Sequence, residues 1–583
     1  MRVSFRFPAT LASEATRAIR RRSIMLAVVG IVVLPMAWRG PSCGQDFDFH
    51  LQNWLEVVHS WHQGLFYPRW AASPNFLAGE PRFVFYPPLS RFLGGALGSV
   101  LPWAWTPLAF ILLALFGAAW SFRAMAREWA GGDNAAAAAC LYVLNPYMMF
   151  VLYERGALAE LLAAVWMPLL VLFGLRRAPS LVPLALTIAA LWLTNAPAGV
   201  MGCYLLAVIV AVAAIRQRSW TLVLRSLGAV PLGLGLSGFW LVPAVWQQRW
   251  VQIDRAIGPL MRVQDSFLFG HGSIAGVPAT PDELFDLHYH NQVLRVASWI
   301  VVSLLLAAVA AAVLSWRRRS ALWLPLVVAA ALVGALQFPC TDFVWRHLPS
   351  LQFLQFPWRW MLVLGMIFAA LAALALRPQP PTRRGLALRA LVLLALAGAS
   401  AAFSSMLFYQ VCDDDNVQTQ IAAFRSSGFE GTDEYTLQGV DLDTGSEFSP
   451  SDGTTRPVTV LEAPGADLTD QGRIPARVKI ERWNVEHMTA LVTTPQPAYA
   501  VLRLMDYPAW RVTLNGAVAQ GRVQRSDGLI AIPVKPGVNR IDVRWRTTAD
   551  QWAGIALSSA ALVILVVLLG RLSGRRRGFS LPS

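Results

Sequence analysis

Charge is what this chain has least of: Asp, Glu, Lys and Arg make up only 14% of its 583 residues, against 56% for the hydrophobic set, and mean hydropathy is +0.48. That balance excludes an ordinary water-soluble globule and places the chain in a bilayer. The five cysteines (Cys43, Cys140, Cys203, Cys340, Cys412) show no C-x-x-C spacing and no zinc pattern. No internal repeat is evident. A cleavage site is missing as well: Arg20 to Arg22 precede an apolar run from Ser23 to Trp38, but Arg39-Gly40-Pro41-Ser42-Cys43 lacks the A-x-A form, so the run reads as an uncleaved signal anchor. Despite a net charge of +15, the arginines form no single stripe or face, which argues against nucleic acid as a partner.

What is present is a series of apolar runs separated by short arginine clusters. Runs near 23–38, 103–122, 135–152, 158–175, 181–195, 198–215, 224–245, 294–315, 320–337, 357–376, 386–410 and 552–571 give about twelve transmembrane helices. The segment 89–101 is apolar but short, and the loop charges decide its status. With it re-entrant or lying on the membrane, the clusters at Arg20 to Arg22, Arg123 with Arg127, Arg176-Arg177, Arg216 with Arg218, Arg317 to Arg319, Arg383-Arg384 and Arg575 to Arg577 share one side. The positive-inside rule makes that side cytoplasmic. The sequence thus predicts a multi-pass protein of the bacterial cytoplasmic (inner) membrane with both termini inside. Its parts are a basic N-terminus (1–22), a transmembrane domain (23–410) with outer loops at 39–90 and 246–293, an extracytoplasmic domain (411–551), a last helix (552–571) and a basic tail (572–583). Cys43, Cys340 and Cys412 all fall outside, where two of them can form a disulfide.

Hydrophobicity drops in 411–551, and strand and turn signals take over. Val501, Arg503 and Met505 alternate with Leu502 and Leu504, and Ile541, Val543 and Trp545 with Asp542, Arg544 and Arg546, the period of half-buried strands. Asn515-Gly516, Asp527-Gly528 and Pro536-Gly537 mark turns. These signals predict a small β-sandwich-like domain behind an irregular lead-in at 411–455.

The chemistry concentrates in the first outer loop. Leu51, Trp54, Leu55, Val58 and Trp61 recur at helical spacing, with Gln52, Asn53, Glu56, His59 and His62 between them, giving an amphipathic helix suited to a membrane surface. Asp46 and His50 stand four apart, so a helix reaching back to Asp46 points both at one volume. Helix capping by Asp46 and support of the first turn by Asp48 is the competing structural account. Arg69, Arg82 and Tyr86 are candidate substrate contacts, weighed against headgroup or interface-belt roles. Further outer turns carry Glu154, Arg155, Glu160 and Asn195, which can face the same cavity as Asp46. Asp46, Asp48, Asp286, His288 and His290 are the residues open to a divalent metal ion, against a solvated acidic loop; no cofactor is fixed by the sequence.

Five phrases in order resemble a known group: DFDFHLQNWLEVVHSWHQGLFYPRW, GEPRFVFYPPLSRFLGGAL, YERGALAELLAAVWMPLL, GLGLSGFWLVPAVWQ and LPSLQFLQFPWRWMLVL. They resemble bacterial polytopic proteins catalogued as "membrane protein, 6-pyruvoyl-tetrahydropterin synthase-related", a group similar in plan to GT-C glycosyltransferases. The stretch DYPAWRVTLNGAVAQ resembles the outer β domain of a related membrane family linked to glycosylation. Nothing in the chain has the compact soluble zinc-histidine site of a pterin synthase. The resemblance implies a GT-C-like fold, a polyprenyl-phosphate-linked sugar donor and an unknown extracytoplasmic acceptor such as a cell-envelope glycan, lipid or protein. It further implies an inverting transfer with Asp46 as the first-loop base and Asp48 completing a D-x-D. Arginines among Arg69, Arg82 and Arg155 would then hold the lipid phosphate. The alternatives are a lipid or glycan transporter or flippase, and a noncatalytic membrane scaffold with a glycan-binding outer domain.

Overall fold

Proline and glycine breaks between apolar stretches decide how this chain crosses or skirts a bilayer. We analysed a computed structural model, which describes residues 9–176, 181–273, 280–318, 320–376, 382–413, 415–440, 456–466, 468 and 472–577. Arg177, Arg319 and the 441–455 part of the lead-in lie outside the described residues. Eight helices are long and apolar enough to cross a membrane, from Ala15–Arg39 to Ala549–Arg571, or eleven if each bent pair is one span. The bent pairs are Gly132–Leu144 with Pro146–Tyr153 (44°), Thr221–Leu236 with Gly238–Trp250 (76°) and Trp323–Ala335 with Pro339–His347 (101°). Pro146 explains the first bend, because it holds the preceding Asn145 extended at φ −63 and ψ 148.

A covalent link constrains the count. Cys43 and Cys412 are joined by a disulfide across 369 residues, which puts both on one side of the membrane. Six single-helix spans and the three bent pairs lie between them. If every bent pair crosses, that number is odd, and one further crossing is needed, by Pro88–Val100 or by the apolar helix Leu181–Thr194. At 14 residues this helix is shorter than the hydrocarbon is thick, and it is packed inside the bundle, with Leu184 and Ala185 fully buried.

The segment predicted to stay out of the count folds as the helix Pro88–Val100, 13 residues or about 20 Å long. It packs on the amphipathic helix Phe47–His62, and its glycines permit the contact: a Cβ on Gly94 would sit 2.1 Å from the Trp54 ring.

Nine strands follow: β1 (Val458–Leu461), β2 (Arg477–Asn484), β3 (His487–Thr494), β4 (Ala498–Met505), β5 (Trp510–Leu514), β6 (Ala517–Val518), β7 (Val523–Gln524), β8 (Leu529–Val534) and β9 (Gly537–Trp545). They form two antiparallel sheets, one in the order β1-β4-β8-β7 and one in the order β2-β3-β9-β5-β6. Asn515-Gly516 is the two-residue β5–β6 hairpin loop, with φ 52 and 86. Two expectations are corrected here. Strand β4 is buried on both faces rather than one, since Val501, Leu502, Leu504 and Met505 are all at or below 3% exposure. It is a central strand pressed against the first outer loop, where Met505 N–H donates to the Ala78 carbonyl (3.0 Å) and Arg503 Nε to that of Phe76 (2.6 Å). The lead-in, in turn, is partly regular: Asn416 caps a helix, Val417–Arg425, by accepting from Gln418 and Thr419 N–H. Trp70 of the first outer loop packs against Trp510 at 5.2 Å and against Tyr507 and Trp545 at 6.0 Å, so loop and sheets share one core.

Candidate functional site

Two glycines bring the first outer loop onto the 153–157 turn. A Cβ on Gly44 would lie 2.3 Å from the Glu154 carbonyl, and Gly156, at φ +59, leaves only 3.0 Å to the Phe47 Cβ. Backbones therefore touch here, with Asp46 N–H donating to the Arg155 carbonyl at 2.8 Å. Asp46 occupies the N-cap position of Phe47–His62, yet its side chain makes no capping bond. Instead its carboxylate accepts from Arg155 Nη2 at 3.1 Å. Arg155 is buried while Asp46 remains 41% exposed, which leaves a carboxylate fixed on one side and open on the other.

Behind this pair the network continues inward. Arg155 Nη1 donates to Glu160 at 2.6 Å, the second oxygen of Glu160 accepts from the Tyr147 hydroxyl at 2.5 Å, and Arg359 Nε stands 3.8 Å from Glu160. Arg155 also lies over the Trp358 ring at 5.2 Å. The Nε atoms of Arg155 and Arg359 are buried and accepted by no group among the described residues. One helical turn after Asp46, His50 accepts at Nε2 from Ala159 N–H (3.4 Å) and places Nδ1 3.5 Å from the Tyr86 hydroxyl. Burial pushes the imidazole down to about 4; the Asp46 carboxylate opposes that and Arg155 adds to it, so His50 is neutral at pH 7.

Asp46, His50, Arg155, Glu160, Trp358 and Arg359 line a cavity of about 1730 Å³, together with residues of the lead-in between Phe429 and Tyr435. Asp48, Tyr86 and Asn195 line it too, as do Asp286 and His290. Asp48 accepts from the adjacent Phe49 N–H, and burial raises its carboxyl. Asn195 caps the helix Ala196–Gln217 through Ala198 N–H, a structural duty at the cavity wall.

Other predicted contacts are engaged elsewhere. Arg82 reaches the wall, but its guanidinium is bound to buried Glu80 at 2.5 Å and to Thr432 at 3.1 Å, a clamp between the loop and the lead-in rather than a headgroup contact. Arg69 lies outside the cavity lining, over Tyr67 at 5.6 Å, with its N–H donating to Glu486 of the β domain. Glu154 lies behind the cavity lining, accepting from Gln410 (2.8 Å) and from the lining residue Tyr289 (3.4 Å); burial raises its carboxyl.

The metal candidates do not gather. His290 Nε2 is 3.0 Å from the Asp265 carbonyl, and His288, two residues earlier on the same helix, is exposed and off the lining. Among the described residues the one trio at ligand spacing is Cys43, Cys412 and Asp415, whose two sulfurs are bonded to each other. Arg359, Trp358 and Tyr147 escaped the sequence reading. The available signal was an arginine in Pro357-Trp358-Arg359-Trp360, at the very start of an apolar span.

Comparison with known proteins adds the following. A family described as "6-pyruvoyl-tetrahydropterin synthase related domain; membrane protein" matches residues 83–411, a stretch that begins after Asp46 and His50. No curated protein matches the chain. Among solved structures it is similar to the arabinofuranosyltransferase AftD from Mycobacteria, at 18% identity and a TM-score of 0.41 over 66% of this chain and 27% of that one. It is also similar to the apo oligosaccharyltransferase of Archaeoglobus fulgidus, at 14% identity and a TM-score of 0.37 over 68% of this chain and 57% of that one. A third likeness is to ArnT from Cupriavidus metallidurans bound to undecaprenyl phosphate, at 12% identity and a TM-score of 0.27 over 69% of this chain and 88% of that one. With its family match covering more than half of its length, this chain belongs to the 6-pyruvoyl-tetrahydropterin synthase related family of membrane proteins.

Proposed function

We propose that the protein transfers a sugar from a polyprenyl-phosphate carrier to a hydroxyl of an extracytoplasmic acceptor, with inversion. The observation that carries this reading is the Asp46–Arg155–Glu160–Arg359 array: one half-exposed carboxylate at the cavity lip, backed by two guanidiniums that meet at one buried carboxylate, Glu160. Asp46 accepts the proton of the acceptor hydroxyl as that oxygen forms its bond to the anomeric carbon. The bond from that carbon to the phosphate oxygen breaks, and its electron pair leaves with the lipid phosphate. A phosphate is already a weak base and needs no general acid, unlike the leaving group of a glycosidase. It needs positive charge, which Arg359 and Arg155 supply. Neutral His50 lines the same wall without adding a competing charge.

The orientation belongs to the same proposal: a bacterial cytoplasmic membrane, both termini inside, and the cavity and residues 411–551 outside. A disulfide at Cys43–Cys412 suits an oxidising compartment. The buried ions support an interfacial enzyme over a transporter, because Glu160 and Arg359 sit in the first turns of their spans rather than midway.

The test is donor turnover. Proteoliposomes holding the purified protein are given a panel of polyprenyl-phosphate sugars and acceptor glycans, and free polyprenyl phosphate is followed by mass spectrometry. Release that matches glycosylated product is expected. No release from any donor, with a nucleotide sugar consumed instead, would overturn the reading.

A further inference from the structure

The outer face of the five-stranded sheet is strongly cationic. Register places Arg477, Lys479 and Arg482 of β2, Arg511 of β5, and Arg540 and Arg544 of β9 on that one face, all six exposed. Arg511 pairs directly with Arg544, and Lys479, Leu491 and Arg540 form one row across three strands. Like charges set side by side destabilise a sheet. Two acids offset part of this: Asp542 holds Arg544 and His487, and Glu481 holds Arg540. Arg477, Lys479 and Arg511 have no carboxylate partner among the described residues.

What the face lacks narrows its partner. Among its described positions on β2, β3, β5 and β9 there is no Phe, Tyr or Trp, so it offers no large aromatic platform for stacking a neutral sugar. Between the cations stand Thr493 and Thr513, while Thr489 is buried and donates to Asp542. Neighbouring strands lie about 4.8 Å apart and alternate residues about 6.7 Å apart, so the cations form a grid that can meet charges repeated along an extended chain. The β2 edge is open, with Val478 39% and Ile480 36% exposed. We infer that this face docks an acidic polysaccharide, a glycan carrying carboxylate or phosphodiester groups, and holds it beside the membrane domain. This goes beyond the transfer reaction and stands even if that reaction is not the protein's activity.

The full-length protein in phosphatidylcholine nanodiscs is titrated with fluorescent dextran sulfate, and with neutral dextran as control. A variant carrying Arg477→Gln, Lys479→Gln, Arg482→Gln and Arg511→Gln is compared with one carrying Arg127→Gln, Arg216→Gln and Arg218→Gln, and unchanged thermal unfolding confirms folding. The wild type should bind dextran sulfate in a salt-sensitive way, the β-face variant about tenfold or more weakly, and the other variant like wild type. Equal binding by wild type and the β-face variant overturns the proposal. So does a β-face variant that keeps dextran sulfate but loses attachment to phosphatidylglycerol vesicles, which would assign the face to lipid.

Discussion

Replacing Glu160 by Gln perturbs the buried carboxylate of the site while keeping its shape. Glu160 is 3% exposed at its side chain and faces Arg155 at 2.6 Å and Arg359 at 3.8 Å, so the substitution leaves two guanidiniums sharing one half-exposed carboxylate. Removing one partner of a buried ion pair costs about 3–5 kcal/mol. The amide still accepts from Tyr147, which places the expected loss near the lower end, about 3 kcal/mol. The assay is equilibrium unfolding of the purified protein in mixed micelles, run as a double-mutant cycle with Arg155→Met. Since the double variant removes both charges of the pair, it should recover a coupling of about 2–3 kcal/mol. A Glu160→Gln protein within about 0.5 kcal/mol of wild type, or two strictly additive changes, would refute the claim that Glu160 holds the guanidiniums.

Protonation of His50 should cost stability in acid. Its folded value of about 4 lies below its ordinary 6.5, so its contribution is complete above pH 6.5 and is lost as pH falls through about 4. The loss amounts to about 3 kcal/mol, and His50→Gln should flatten the slope in that window. Glu434 should show the opposite sign: burial raises it to about 7, so its contribution is complete below its ordinary 4.5 and is lost as pH rises through about 7, a trend Glu434→Gln should remove. Thiol labelling should modify exposed Cys340 ahead of half-buried Cys203 without reductant, and Cys43 and Cys412 only after reduction, while Cys140 stays protected in its apolar setting. Early labelling of Cys412 would contradict the disulfide.

The sequence exposed the architecture more readily than the site. Apolar runs and the turn pairs at Asn515-Gly516 and Asp527-Gly528 are local signals, and helices long and apolar enough to cross a membrane, as well as both turns, are present. The meeting of Asp46 with Arg155 depends on Gly44 and Gly156 allowing two backbones to touch, a contact with no local signature. Arg82 misled for the opposite reason: its partner Glu80 is two residues away, and only the turn between them aims both inward, so pattern alone could not tell a clamp from a headgroup contact. Strand β4 read as half-buried because Arg503 breaks its apolar run, yet that arginine donates to the Phe76 carbonyl from within the interface. Arg359 stayed hidden because an arginine beginning a span reads as an interfacial residue until its neighbours are known.

The base assignment is tested most directly by single-turnover transfer in proteoliposomes with Asp46→Asn, alongside Asp48→Asn at matched protein levels. The account predicts a loss of at least about a hundredfold for Asp46→Asn, the scale of a general base, and little change for Asp48→Asn. Transfer by Asp46→Asn at the wild-type rate would contradict it.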